Sequence, residues 1–276
     1  MNHAKVYEFD PGQQIREILL VGLGGTGAQI ARKLARLIYH MKQQHMDVPS
    51  IVFIDHDTVS QSNIGRQLFT EAEIGENKAR VTARRFNMAM GLNIEARPRM
   101  LRPHDFKGRY DPNTSHYNND TRTQLLIGAV DNAAARQIIH DQADRLVAWI
   151  DAGNHEFGGQ VIIGNSTKPM RTNRKLTYRP NGDRQYKWLP APSLIMPDLL
   201  TPEETEISCA ELVEQNRQDL LVNDWMADVA AGYAKALLLR QPIYSFMTYV
   251  DTRRMNVRSI PLTCANLRSR MELAKQ

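Results

Sequence analysis

Between Asp55 and Lys78 the chain reads DHDTVSQSNIGRQLFTEAEIGENK, and upstream of it Gly22-Leu23-Gly24-Gly25-Thr26-Gly27 forms a glycine-rich run. Glycines let a backbone approach phosphate, and a helix opening after them offers free N–H donors and a positive dipole. A redox dinucleotide needs only those glycines and an acid after the next strand. Here the acid, Asp55, is followed by Ser62, Asn63, Arg66, Gln67 and Lys78. These are anchors of the kind that hold a triphosphate and stabilise charge on a transferring phosphoryl group.

Each residue also has a plainer role open to it. Asp55 ends the apolar run IVFI at 51–54, where a carboxylate accepts from ribose hydroxyls or caps a loop; neither role separates NAD from ATP. Asp57 either joins it or is solvated. Lys78 opens a helical run, where the macrodipole disfavours a cation by roughly 0.3 to 1 kcal/mol, so its position favours a nearby anion. Glu76 offsets part of that cost, and Asn63, Arg66 and Gln67 strengthen a phosphate-contacting role. Asp131 follows a buried strand and precedes a helix; it either holds Mg²⁺ jointly with phosphate oxygens or caps the helix. Cys209, in EISCAELVEQ, is either a thiol open to substrate at the sheet edge or an ordinary buried cysteine. The eight histidines have no metal-ligand spacing.

The elements that must position these residues follow from periodicity. EILLV at 17–21 reads as a buried strand entering the glycine turn, and Ile30, Leu34, Leu37, Ile38 and Met41 mark one face of the following helix. A second strand at 51–54 completes a β-α-β unit and implies a parallel sheet. A helix through Ala79, Thr82, Ala83, Phe86 and Met90 leads to a strand at 93–96. The polar stretch 98–123 is expected to be an exposed excursion. Strands at 125–130, 146–150 and 160–163, with a helix over 133–143, continue the alternation. The proline-rich stretch 166–206 is expected to be a long mobile connection. A helix at 223–239 and strands at 245–250 and 255–260 close the chain. Residues 1–276 are read as one domain.

Composition narrows the function. The chain has 276 residues, 42% of them hydrophobic, enough for a sizeable core. A net charge of +5 and a pI near 9.2 come from scattered basic residues, so no direct nucleic-acid binding is expected. Two cysteines, Cys209 and Cys264, cannot build a structural zinc site. The amino terminus has no apolar signal core and no run is long enough to cross a bilayer, so a reduced cytoplasmic setting is expected.

Together, GLGGTG, DHDTVSQSNIGRQ, GENK and AVDNAAAR resemble the adenylation domain of the ThiF, MoeB and ubiquitin-activating E1-like superfamily, over about Glu17 to Gly164. The overall pattern also resembles the ThiF-like member of the PRTRC plasmid cassette. The resemblance implies a Rossmann-like, doubly wound α/β fold: a mainly parallel sheet, antiparallel closing strands and a long crossover loop. It implies ATP-dependent adenylation of the carboxy-terminal glycine of a β-grasp protein, either ubiquitin-like or a sulfur carrier. Gly22, Gly24 and Gly27, with Gly25 in the same turn, match the nucleotide loop, and Asp55 matches the ribose-binding acid. Asn63, Arg66 and Lys78 match the phosphate-contacting set, and Asp131 the magnesium-associated acid. Gln67 and Asp57 lie within the same segment as further ATP-binding candidates. Cys209 falls near the family's thiol nucleophile, although no motif fixes that alignment.

Two departures stand out. The zinc-binding cysteine pairs of many relatives are absent, and the amino-terminal arginine helix that reaches a partner's ATP is not recognisable in 1–14. The resemblance still implies a homodimer and, for conjugation, an E2-like acceptor. Rival readings are an adenylating enzyme acting on tRNA or a small molecule, an NAD-dependent dehydrogenase, which leaves Arg66 and Lys78 unexplained, and a non-catalytic nucleotide-binding adaptor.

Overall fold

The computed structural model describes residues 5–107, 121–168, 176–178, 184–202 and 220–274. In chain order the strands and helices are β1 (Glu8–Phe9), β2 (Glu17–Val21), α1 (Gly25–Gln43), β3 (Ser50–Ile54), α2 (Lys78–Met90), β4 (Ile94–Arg97) and β5 (Gln124–Gly128). Then come α3 (Ala133–Gln142), β6 (Ala148–His155), β7 (Gly158–Gly164), β8 (Leu176–Tyr178), β9 (Arg184–Tyr186) and α4 (Pro192–Ile195). The last four are α5 (Leu220–Leu238), β10 (Ser245–Asp251), β11 (Asn256–Pro261) and α6 (Cys264–Leu273).

Eight strands form one sheet in the order β11-β10-β7-β6-β5-β2-β3-β4. From β6 to β4 neighbours are parallel, while β7, β10 and β11 close the sheet antiparallel. The fold is therefore α/β and doubly wound, as its strand and helix spacing predicts. All five residues of β2 are buried. Ile18 and Leu20 face a core shared with α1, α2 and α5, and Leu19 and Val21 face a second core with Ile139 of α3. A strand covered on both faces needs such a continuous apolar run.

β2 runs outward through β3 to β4, whereas β5 returns to the other side of β2. The carboxyl ends of β2 and β5 thus flank the point where strand order reverses, where open α/β sheets bind ligands.

Two expectations need correction. The described parts of 98–123 are exposed only in part: Pro98, Arg102, Pro103, His104 and Lys107 are exposed, but Leu101, Asp105, Phe106 and Arg122 are buried. Asp105 is held by Arg97 at 2.8 Å and Arg99 at 2.6 Å, so its charge enters the core with partners. Within 166–206, residues 184–202 are packed structure, with Trp188, Leu189, Ala191, Ile195 and Leu199 buried. Arg122 stacks over Trp188 at 4.1 Å. Pro192 and Pro197 open short helical turns here, a position that proline suits. The small sheet β1-β9-β8 and helix α6 are additions to the sequence expectation.

Candidate functional site

The glycine turn joins β2 to α1. Gly22 has φ +85°, and a β-carbon there would collide with the Ala129 carbonyl just past β5. A β-carbon on Gly27 would collide with the Gly22 carbonyl. These two glycines let the turn fold tightly between the central strands. Gly24 caps α1 with no side-chain hydrogen bond, and the first turn contains no acid of its own to offset its N–H groups and dipole.

Asp55 fixes the turn from beneath. Its Oδ2 accepts from the Leu23 N–H at 2.5 Å and its Oδ1 from the Asp57 N–H at 2.8 Å. Burial pushes its carboxyl above the ordinary range, partly countered by those two N–H donors. Each oxygen keeps lone-pair capacity for a further hydroxyl donor.

The polar segment folds back on the same edge. Asn77 donates to the Asp55 and Asp57 carbonyls, each at 2.9 Å, and caps α2 by accepting from the Arg80 N–H at 3.1 Å. Val59, Phe69 and Val81 form a small apolar cluster beneath it. Asn63 is buried, and its Oδ1 accepts from the Ser60 N–H at 3.0 Å. Gln67 lies against Gly24; its Oε1 is buried with no hydrogen-bond partner among the described residues. Arg66 is half-buried beside them.

Lys78 occupies the first position of α2, 7% exposed, with its Nζ 3.2 Å from Asp57 Oδ2. Asp57 thus pairs with Lys78 across the segment. Glu76 instead makes an exposed bidentate pair with Arg84, at 2.6 and 2.8 Å.

Asp131 is exposed just beyond β5, two residues after Ala129, which abuts Gly22. Its carboxylate makes no hydrogen bond or ion pair among the described residues. The cap of α3 is Asn132, which accepts from the Ala135 N–H at 2.8 Å. The capping role considered for Asp131 therefore belongs to its neighbour. Behind it, buried Arg136 pairs with buried Asp151 at 3.3 Å, tying α3 to β6. Asp55, His56 and Asp57 also bring three ligand atoms within 4.8 Å of one another, but Asp55 is committed to backbone N–H groups and Asp57 to Lys78.

Sequence periodicity did not reveal a ring of Thr26, Asn154 and Asn223 at the amino end of α1. Thr26 donates to Asn223 Oδ1 at 2.8 Å, and Asn154 Nδ2 donates to Asn223 Oδ1 at 2.8 Å and to Thr26 Oγ1 at 3.1 Å. The available signal was a polar residue in each of a glycine turn, a strand end and a mainly apolar helix. Cys209 lies outside the described residues, and no described helix is long and apolar enough to cross a membrane.

Known proteins are similar to this chain in sequence and in fold. The chain is 30% identical over 163 residues to the NEDD8-activating enzyme E1 catalytic subunit of Dictyostelium discoideum, covering 53% of this chain and 32% of the relative. It is 32% identical over 148 residues to the mouse (Mus musculus) adenylyltransferase and sulfurtransferase MOCS3, covering 51% of this chain and 30% of the relative. The chain thus spans about a third of the length of these relatives. In fold it is similar to E. coli MccB solved with ATP, with a TM-score of 0.53 and 14% identity over 90% of this chain and 64% of MccB. PaaA has a TM-score of 0.55 with 14% identity, covering 90% of this chain and 64% of PaaA. The ThiF family model matches residues 12–198, which contain the glycine turn, the polar segment and Asp131, and the chain belongs to the ThiF family.

Proposed function

We propose that this protein binds ATP with Mg²⁺ and adenylates the carboxy-terminal glycine of a ubiquitin-like or sulfur-carrier β-grasp protein. The observation that carries this reading is the convergence of the Asp55-buttressed turn, Lys78 and Asp131, unpartnered among the described residues, at the strand-order reversal. The relatives support the substrate class, one named for activating NEDD8 and the other for adenylyl and sulfur transfer.

The carrier carboxylate is already ionised at neutral pH and needs no general base. Its oxygen attacks the α-phosphorus, the bond to the bridging oxygen breaks, and acyl-adenylate and pyrophosphate result without proton transfer. The chain's share is positioning and charge: α1 presents N–H donors to phosphate, Asp55 accepts from ribose, and Asn63, Arg66, Gln67 and Lys78 surround the phosphates. Asp131 suits Mg²⁺, because that ion takes few protein ligands and this carboxylate has no partner among the described residues. When bound, Mg²⁺ offsets charge on the phosphate oxygens.

In this reading Cys209 receives the carrier as a thioester, and the protein works as a homodimer in the cytoplasm. A role in the PRTRC cassette is the narrower form. Calorimetric titration tests the core of it: MgATP binds more tightly than NAD. Tighter NAD binding would return the glycine turn to redox chemistry.

A further inference from the structure

Asn223 lies on α5, far in sequence from the glycine turn, yet it is only 8% exposed and its amide sits over Gly25. Its Nδ2 lies 2.7 Å from where a β-carbon on Gly25 would stand. A helical β-carbon leans toward the helix amino end, so the amide occupies the side of α1 from which its unpaired N–H groups emerge.

In the ring described above the Asn223 carbonyl turns toward Thr26 and Asn154, and its amino group turns toward Gly25. Oδ1 accepts from both Thr26 and Asn154, and Thr26 Oγ1 accepts from Asn154 while its hydroxyl donates to Asn223. Nδ2 is left with no acceptor among the described residues. A nine-tenths buried amide is thus held with its carbonyl consumed and its donor beside the amino end of α1, whose first-turn N–H groups lack intrahelical partners. That set of groups attracts an anion.

We propose that Asn223 is a phosphate-positioning residue: its Nδ2–H₂ donates to an ATP phosphate oxygen at the amino end of α1, while Thr26 and Asn154 orient it. The inference rests on the ATP reading above. It also gives a reason for glycine at 25, where a methyl would press on the amide.

Asn223→Asp provides the test. A carboxylate of the same shape still accepts from Thr26 and Asn154, but it replaces the donor with a negative oxygen facing phosphate. Nucleotide-free Asn223→Asp keeps the wild-type melting temperature, because the amino end of α1 favours an anion. Its MgATP affinity by calorimetry falls at least about tenfold, the loss expected for a hydrogen bond to a charged group. Adenosine, titrated by NMR chemical shift, stays within about twofold. Asn223→Ala shows the same split between ATP and adenosine if Asn223→Asp does not fold.

Equal losses for adenosine and MgATP, or no loss for either, would reduce Asn223 to a tether between α1 and α5. The wild-type arm separates the two readings. Wild-type protein that fails to bind MgATP overturns the ATP reading itself, whereas wild-type binding with unchanged variants overturns only the role of Asn223.

Discussion

Lys78 concentrates the residue-scale problem, because a nine-tenths buried ammonium stands at the helix end where the dipole disfavours it by roughly 0.3 to 1 kcal/mol. Asp57 at 3.2 Å offsets that cost, and phosphate would supply the remaining negative charge. Arg66, half-buried, belongs to the polar segment that leads into α2. Removing either cation deletes a charge-assisted contact worth on the order of 1.5 to 3 kcal/mol. Lys78→Ala and Arg66→Ala are therefore expected to lower ATP–pyrophosphate exchange with a cognate carrier at least about tenfold while the fold is retained. Wild-type exchange with unchanged ATP affinity in both variants would leave Arg66 and Lys78 without a part in nucleotide binding. Asp105 makes the opposite use of charge. Burial pushes its carboxyl up, but Arg99, the Arg102 N–H and Arg97 outweigh that and hold it below the ordinary carboxylate range. A depressed folded-state pKa contributes stability above the unfolded value near 3.9, and that stability is lost as pH falls through the folded value. Asp105→Asn is expected to cost about 1 to 3 kcal/mol at neutral pH by denaturant titration, less than a fully buried pair because both guanidiniums reach solvent. The variant should also lose stability less steeply in acid than the wild type.

Among the elements, α1 and α5 place similar demands on the chain but treat glycine oppositely. Gly27 is pressed against the Gly22 carbonyl, whereas a β-carbon on Gly232, exposed in mid-α5, meets nothing within 4 Å. Gly232→Ala should raise stability by about 0.5 to 1 kcal/mol in thermal unfolding, the ordinary gain in a helix interior. Gly27→Ala should lower stability and abolish ATP binding, since the turn cannot close; equal behaviour of the two variants would contradict this packing. This contrast also marks how far the elements were legible. Ile18 to Val21 and Ile51 to Ile54 announce strands through unbroken apolar runs, and Ile30, Leu34 and Ile38 announce a helix, because burial by one's own period leaves its mark in the sequence. Residues 184–202 gave no such mark. Their burial depends on Arg122 stacking on Trp188 and on Asn165 bonding the Val147 and Lys187 carbonyls at 3.0 and 3.1 Å, long-range polar contacts with no periodicity. The site divides the same way: Gly22, Asp55 and Lys78 are contiguous with their elements, while Asn154 and Asn223 reach Thr26 only through tertiary folding.

For the whole molecule, the sheet concentrates function at one edge, since β2 and β5 are the only parallel neighbours whose crossovers depart in opposite directions among the described strands. The glycine turn ends one of them and Asp131 follows the other. The adenylation proposed at that edge would yield an acyl-adenylate, and a thiol brought to it would attack the carbonyl carbon, form the thioester and release AMP. Cys209 is the proposed thiol and must act as thiolate, through a lowered pKa or through close placement. Cys264 serves as the internal control: it opens α6, with its Sγ 3.1 Å from the Tyr186 hydroxyl, on an element outside the nucleotide edge. Cys209→Ala is expected to keep ATP–pyrophosphate exchange with the carrier but to lose a reductant-sensitive covalent adduct seen on non-reducing gels, while Cys264→Ala keeps both. Hydroxylamine should release the wild-type adduct, because a thioester, unlike a disulfide, is cleaved by that nucleophile. An adduct that persists in Cys209→Ala, or wild-type protein that exchanges briskly and never forms one, would leave adenylation as the complete reaction and Cys209 outside it.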